Sequence, residues 1–176
     1  IGKGSAYTSP SDSRPEGDAF DIDFVTHELG HQIGATHTFS ASIEGTGTSV
    51  EPGSGSTIMG YAGITNYDVQ SQSDDYFAYA SILQIQDNLS TKSCPVPTTL
   101  SNQTPTANAG ADYTIPKSTP FVLNGSATDP NGNTMTYCWE QNDSATNSES
   151  GVNSKAYAAK PDGPNFRSFL PSSVTN

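Results

Sequence analysis

The sequence predicts an α+β fold in two parts, the first mostly helix and loop and the second built from short strands. Helical patterns occur at about 22–34 and about 75–90, both before Cys94. After Cys94, short β-type runs alternate with turn signals. A chain of 176 residues with a hydrophobic share of 32% has room for one small domain and part of another.

The first helix is predicted at about 22–34, with Asp21 or Asp23 as the capping residue. Gly34 lies where a left-handed helix stop is expected. Three apolar side chains recur at four-residue spacing and predict a buried stripe: Val25, Leu29 and Ile33.

The second helix is predicted at about 75–90, with Ser73 or Asp74 as its cap. Four apolar side chains are expected to share one face: Ala78, Ile82, Ile85 and Leu89. The Gly- and Ser-rich segment between the helices has no periodicity, which indicates a functional loop or disorder, and we expect 40–57 to be flexible.

The second part follows a Pro- and Thr-rich linker at 95–106. Strands are predicted at 114–115, 121–123 and 134–140, and "DPNGN" predicts a turn between two of them. We expect residues 107–176 to form one module, with an irregular polar insertion from Ser144 to Lys160.

Charge and hydropathy exclude two classes of partner. The net charge is −11, from 18 acidic and 7 basic residues, and there is no basic stripe of the kind that binds nucleic acid. No apolar run reaches the roughly 18 residues of a membrane-spanning helix, so we expect no membrane insertion. The acidic excess favours solubility and could attract hard cations such as Ca²⁺.

The segment "HELGHQIGATH" contains all three histidines of the chain. His27 and His31 are one helical turn apart, so both imidazoles project from the same face. A helix stop at Gly34 would let His37 supply a third nitrogen. Three neutral histidines can bind Zn²⁺ and leave the fourth position open, as a catalytic zinc requires. The alternative is a helix with ordinary surface histidines.

Glu28 follows the first histidine and is predicted to be a general base. It would take a proton from a zinc-bound water, whose pKa the metal has lowered, and return it to the leaving amine. No Ser or Cys nucleophile is paired with a free histidine, so direct attack by water is expected, with no acyl-enzyme.

Residues 1–94 resemble the metzincin zinc endopeptidases, because "HELGHQIGATH" is followed by "STIMGYAG", similar to their Met-turn. The pattern is most similar to the reprolysin-like (adamalysin-like) peptidases of secreted bacterial proteins. The resemblance implies a Met-turn at 57–61, with Met59 packed beneath the metal, and Glu28 as the base. It also implies three zinc ligands: His27, His31 and His37.

Two positions leave alternatives open. Tyr61 stands two residues after Met59, a spacing at which some metzincin branches place a tyrosine near the zinc or the reacting oxyanion; the alternative is a packing role. Thr38 follows the third histidine where snake-venom reprolysins have Asp, which leaves the branch open.

The resemblance also implies a sheet-bearing N-terminal subdomain, yet only 26 residues precede His27. We therefore expect 1–94 to be the C-terminal (zinc-helix) half of a metzincin catalytic domain. The missing N-terminal part would be a partner, and its absence favours inactivity of the isolated chain, though not of the larger protease.

Residues 107–176 resemble part of a PKD-type, immunoglobulin-like β-sandwich module, through "DPNG" and "Tyr137-Cys-Trp139". Alternation places Trp139 in the sandwich core. Oxygen-bearing side chains stand at alternate positions of the turn, a pattern that resembles a Ca²⁺-binding loop: Asp129, Asn131 and Asn133. The alternative is an ordinary turn. Cys94 and Cys138 could pair with each other, pair with cysteines elsewhere, or stay free.

Together these features predict a secreted, extracellular zinc endopeptidase of bacterial type that acts on protein or peptide substrates, here as a fragment of a larger protease. The rival hypothesis is a non-catalytic binding or adhesion module with a structural zinc site. Glu28 favours catalysis, because a structural site needs no base.

Overall fold

The structure is a computed structural model that describes residues 7–10 and 13–175. Its contacts divide the chain into two compact units. The first contains the described part of Ile1–Pro95 together with Glu140–Ser168, and the second contains Val96–Trp139 and the described part of Phe169–Asn176. Helices and a two-stranded sheet make the fold mixed α+β, as predicted.

The first helical stretch is built from three consecutive pieces. Helix α1 spans Asp18–Phe20, a π-helical segment spans Asp21–Thr26, and helix α2 spans His27–Gln32. The stretch begins after Gly17, so the predicted caps Asp21 and Asp23 lie inside it and that prediction is wrong. Asp23 instead accepts a hydrogen bond from the backbone N–H of Ser73, at 2.8 Å.

Helix α2 buries the face that carries its first histidine. His27 and Gly30 are buried, whereas Leu29 is 51% exposed, so the predicted Val25–Leu29–Ile33 stripe is wrong at its centre. A Cβ at Gly30 would lie 2.5 Å from Met59 Sδ, so only glycine lets the helix approach this closely. Gly34 has a φ of +114°, which confirms the predicted left-handed stop.

Helix α3 spans Tyr79–Ser90 and begins four residues later than predicted. The preceding residues are bonded to another segment instead: Asp74 N–H donates to Ser56 O at 2.8 Å, and Ile58 N–H donates to Tyr76 O at 3.1 Å. These tertiary bonds compete with a helical turn there. The predicted apolar face is only half correct. Ala78 is buried and Ile85 packs on the core, whereas Ile82 and Leu89 are exposed.

Residues 48–60 form the buried centre of the first unit, so the expected flexibility is wrong for 48–57. Much of this centre is polar: Ser54, Ser56 and Thr57 are fully buried. A small apolar cluster adjoins it, formed by Ala35, Ile58 and Met59 with Ile22, Phe77 and Ile85 around them.

Residues 140–168 are part of this same unit, although the sequence places them in the module 107–176. Three backbone hydrogen bonds of 2.9–3.0 Å join them to the segment 41–53. The donor–acceptor pairs are Ala145 N to Ser49 O, Gly53 N to Ser154 O, and Gly151 N to Ala41 O.

The second unit contains the sheet. Strands β1 (Thr106–Asn108) and β2 (Ser126–Thr128) pair antiparallel, with Ala107 opposite Ala127. The strands predicted at 114–115, 121–123 and 134–140 are wrong, although Tyr137 forms an isolated bridge with Ser172. Trp139 is half-buried and its indole N–H donates to Thr175 O at 3.0 Å. None of the helices in the described ranges has the length and apolarity needed to cross a bilayer.

Candidate metal centre

The three histidines of "HELGHQIGATH" come together at one point of the first unit. His27 and His31 project from helix α2, and the turn at Gly34 returns the chain so that His37 joins them. One ring nitrogen from each histidine lies within 4.8 Å of the other two. His31 Nε2 and His37 Nε2 are 3.1 Å apart.

Backbone carbonyls orient the two helical histidines. His27 Nδ1 donates to Ile58 O at 2.6 Å, and His31 Nδ1 donates to Ala35 O at 2.9 Å. Because a carbonyl oxygen can only accept, these bonds place the proton on Nδ1 and leave the Nε2 lone pair free to bind a metal. Ile58 belongs to the segment predicted as a Met-turn, so that segment holds the His27 imidazole directly.

The third histidine is oriented by a carboxylate. His37 Nδ1 donates to both oxygens of Glu44, at 2.8 and 2.9 Å. A carboxylate behind a metal-binding imidazole fixes its tautomer and makes the other nitrogen a stronger ligand. Glu44 was missed in the sequence because it lies seven residues away in a segment without periodicity.

These residues fit a zinc ion. With Nδ1 bonded to an acceptor on both rings, the Nε2 atoms of His31 and His37 face each other across 3.1 Å, an arrangement that a proton or a metal cation between them stabilises. Two nitrogens at about 2.0–2.1 Å from one tetrahedral zinc would be about 3.3 Å apart. Burial lowers the pKa of His27, which keeps it neutral and able to bind a metal near pH 7.

Glu28 lies beside this cluster. It is half-buried and lines, together with His27, a cavity of about 550 Å³. Gly60, Tyr61 and Ile64 form another part of the wall. A carboxylate and one histidine of the cluster thus open onto the same space, which is large enough for a substrate side chain.

Met59 is fully buried, and its carbonyl accepts a hydrogen bond from Thr38 N–H at 3.0 Å. The Tyr61 ring lies 4.4 Å from His37 and 5.6 Å from His27, centroid to centroid. Burial, with the nearby charges of Glu44 and Glu28, raises the pKa of Tyr61, so its phenol stays protonated. These contacts show packing, and a zinc or oxyanion role for Tyr61 stays a prediction.

A model of the family described as metallo-peptidase family M12B, reprolysin-like, matches residues 2–93. The chain belongs to this family. No curated protein and no solved structure matches it. Membership identifies a metallopeptidase, whose substrates are proteins or peptides, and together with the three histidines it supports zinc as the metal.

The reprolysin-like match ends at residue 93, and the other candidate residues follow it in the chain. Asp129 Oδ1 accepts hydrogen bonds from the backbone N–H groups of Asn131 (2.8 Å) and Asn133 (3.0 Å). Such bonds are typical of an ordinary turn that begins with aspartate. Calcium binding there stays a prediction. The structure has no disulfide between Cys94 and Cys138, and Cys138 Sγ–H donates to Phe169 O at 3.3 Å.

Proposed function

We propose that this reprolysin-like chain is a zinc-dependent endopeptidase, with His27, His31 and His37 as zinc ligands and Glu28 as general base. One observation carries the proposal: one ring nitrogen from each of the three histidines converges, each Nδ1 is already hydrogen-bonded, and a carboxylate beside them opens onto the same cavity as His27.

The protein residues contribute proton transfer and orientation. Zinc, when bound, lowers the pKa of water and polarises the scissile carbonyl. Glu28 accepts the proton that the attacking water loses and then donates it to the nitrogen of the leaving amine. Ile58, Ala35 and Glu44 keep the imidazoles in place, so little reorganisation is needed when substrate binds.

The rival function, a non-catalytic binding module with structural zinc, is less well supported. Structural zinc sites are closed by four protein ligands. In the described ranges, the cluster supplies three histidines, and its neighbour Glu28 lines a cavity instead of closing the site.

Two further parts of the proposal rest on the resemblance of the sequence. Secretion is one, since the pattern is similar to peptidases of secreted bacterial proteins. A PKD-type identity for the second unit is the other, supported by the "DPNG" turn, where Gly132 N–H donates to Asp129 O at 3.1 Å.

The test measures bound zinc by elemental analysis and cleavage of casein, for the wild type, Glu28→Ala and Glu16→Ala. Glu16 is an exposed carboxylate two residues before helix α1 and serves as the matched control. We expect about one zinc per chain in all three proteins. Cleavage should fall by roughly 10²–10⁴-fold in Glu28→Ala alone, as is typical when a general base is removed.

Three results would contradict parts of the proposal. Full cleavage by Glu28→Ala would reject the base assignment. Zinc binding without cleavage, both by this chain and by the longer protease of which the sequence predicts it to be a part, would favour the rival function. A wild type that binds no zinc would reject the site itself.

A further inference from the structure

Glu51 is a buried carboxylate at the centre of the first unit, with a residue exposure of 5%. Oε2 accepts hydrogen bonds from the hydroxyls of Thr38 (2.6 Å) and Thr57 (2.7 Å). Oε1 accepts from the backbone N–H groups of Ser56 (3.0 Å) and Thr57 (3.2 Å), and at a longer distance from the Ser56 hydroxyl (3.4 Å). Both oxygens are therefore fully used by donors from two different chain segments.

Within residues 7–10 and 13–175, Glu51 forms no ion pair with a lysine, arginine or histidine. Burying a carboxylate is strongly unfavourable unless hydrogen bonds replace the lost water. The five donors supply that replacement, and each is consequently held close to the carboxylate.

The two segments joined by this carboxylate are those that place zinc ligands. Thr38 directly follows the ligand His37. Thr57 directly precedes Ile58, whose carbonyl accepts the Nδ1 hydrogen bond of the ligand His27. Two backbone hydrogen bonds join the same segments: Glu51 N–H donates to Thr38 O at 2.9 Å, and Thr38 N–H donates to Met59 O at 3.0 Å.

We propose that Glu51 is the positioning residue of the metal centre: its carboxylate holds the segment after His37 against the segment that orients His27, and so sets the separation of two zinc ligands. Glu51 acts through these segments and touches neither the metal nor the substrate. The inference rests on the proposed zinc binding of the chain.

The hydrogen-bonding capacity of the replacement side chain decides which substitutions of Glu51 the metal centre can tolerate. In Glu51→Gln, the amide oxygen can still accept from the two backbone N–H groups. The amide NH₂ can donate to the hydroxyls of Thr38 and Thr57, which rotate to become acceptors. Glu51→Ala removes all of these bonds and leaves the donors buried without partners.

The experiment measures metal affinity by competition with a chromophoric chelator, together with the visible absorption spectrum of the Co²⁺-substituted protein. That spectrum reports the ligand geometry at the metal. We expect Glu51→Ala to weaken Zn²⁺ and Co²⁺ binding by about 10–100-fold, the usual effect of losing an outer partner of a metal site. The Co²⁺ spectrum should change as well, whereas Glu51→Gln should stay within about threefold of the wild type and keep its spectrum, because it retains acceptor contacts.

Glu149 provides a matched control for general loss of stability. It is also a buried glutamate of the first unit, with an exposure of 8%. Its carboxylate accepts hydrogen bonds from Ser148 Oγ (2.6 Å) and Thr146 N (2.9 Å), away from the metal ligands in sequence. The bonds that join its segment to residues 41–53 are backbone bonds of other residues, so Glu149→Ala should lower stability yet leave the metal affinity and the Co²⁺ spectrum unchanged.

Wild-type affinity and spectrum in Glu51→Ala would overturn the inference, as would an equal loss in Glu149→Ala. If circular dichroism shows that Glu51→Ala is unfolded, Thr57→Val decides, since it removes one donor with little change in shape. A weaker affinity in Thr57→Val then supports the inference, and an unchanged affinity overturns it. A wild type that binds no metal would instead reject the proposed function.

Discussion

Among the groups that orient the three proposed zinc ligands, Glu44 is the one that carries a charge, and its side chain is 40% exposed. The other two anchors are backbone carbonyls, which side-chain substitution leaves in place. Glu44 therefore offers a direct way to test how much the orientation of one imidazole contributes to metal binding.

Glu44→Ala should weaken zinc binding by about 10–100-fold, because His37 loses the acceptor that fixes its tautomer. Glu44→Gln should lose less, since an amide oxygen still accepts the Nδ1 hydrogen bond but supplies no charge. Chelator competition measures both affinities, and Glu16→Ala, with an equal charge change, is the control. Equal affinities in Glu44→Ala and Glu16→Ala would show that the bond to His37 does not contribute.

At the scale of single residues, the sequence predicts the three histidines that come together but not the two glutamates that support them. His27, His31 and His37 lie within eleven residues, so their convergence follows from helix geometry and one glycine. Glu44 and Glu51 reach the site only because residues 38–60 fold back on helix α2, and a segment without periodicity gives no indication of that path. A lone acidic residue before "PGSGSTIM" was the only available signal for Glu51.

At the scale of elements, tertiary contacts overrode local pattern at both helices. The four-residue apolar spacing predicts Leu29 as core, yet Gly30 is the residue that contacts Met59. Helix α3 starts late because backbone groups at 74–76 pair with the segment 56–58. Local helix propensities do not include such long-range pairings. The sequence therefore predicts that both helices exist but does not predict the residues at which they begin.

The start of helix α3 is capped by a residue that is remote in sequence. Its N-cap residue Ala78 makes no side-chain bond, and Tyr79 N–H donates to Glu140 Oε2 at 2.8 Å. Glu140→Ala should lower the free energy of unfolding by about 0.5–2 kcal/mol, the usual cost of losing a cap.

Glu140→Gln separates the two contributions of this cap. It keeps an acceptor for Tyr79 N–H but loses the favourable interaction of a negative charge with the helix N-terminus, about 0.3–1 kcal/mol. Urea unfolding followed by helical circular dichroism measures both variants, because α1, α2 and α3 all lie in the first unit. A midpoint unchanged in Glu140→Ala would rule out a capping role.

At the scale of the whole molecule, the peptidase unit is discontinuous in sequence. The family match ends at residue 93, yet Glu140–Ser168 packs with the unit that contains the metal centre. Besides its backbone bonds, this segment contributes an ion pair of 3.1 Å between Arg167 and Asp74. Its polar, irregular sequence contains no helix or strand pattern, so the sequence could not indicate where it packs.

Removing Glu140–Ser168 should therefore destabilise the metal centre, even though none of its residues is a proposed ligand. A shortened chain of residues 1–95 loses the bonds at Ala41, Ser49 and Gly53, about 0.5–1.5 kcal/mol each. The segment 41–53 includes both Glu44 and Glu51, so zinc affinity should fall together with the urea midpoint. A chain in which a flexible Gly/Ser linker replaces 96–139 should keep both properties, because the second unit contributes no zinc ligand. If residues 1–95 alone match the full chain in midpoint and affinity, the packed segment has no role in supporting the site.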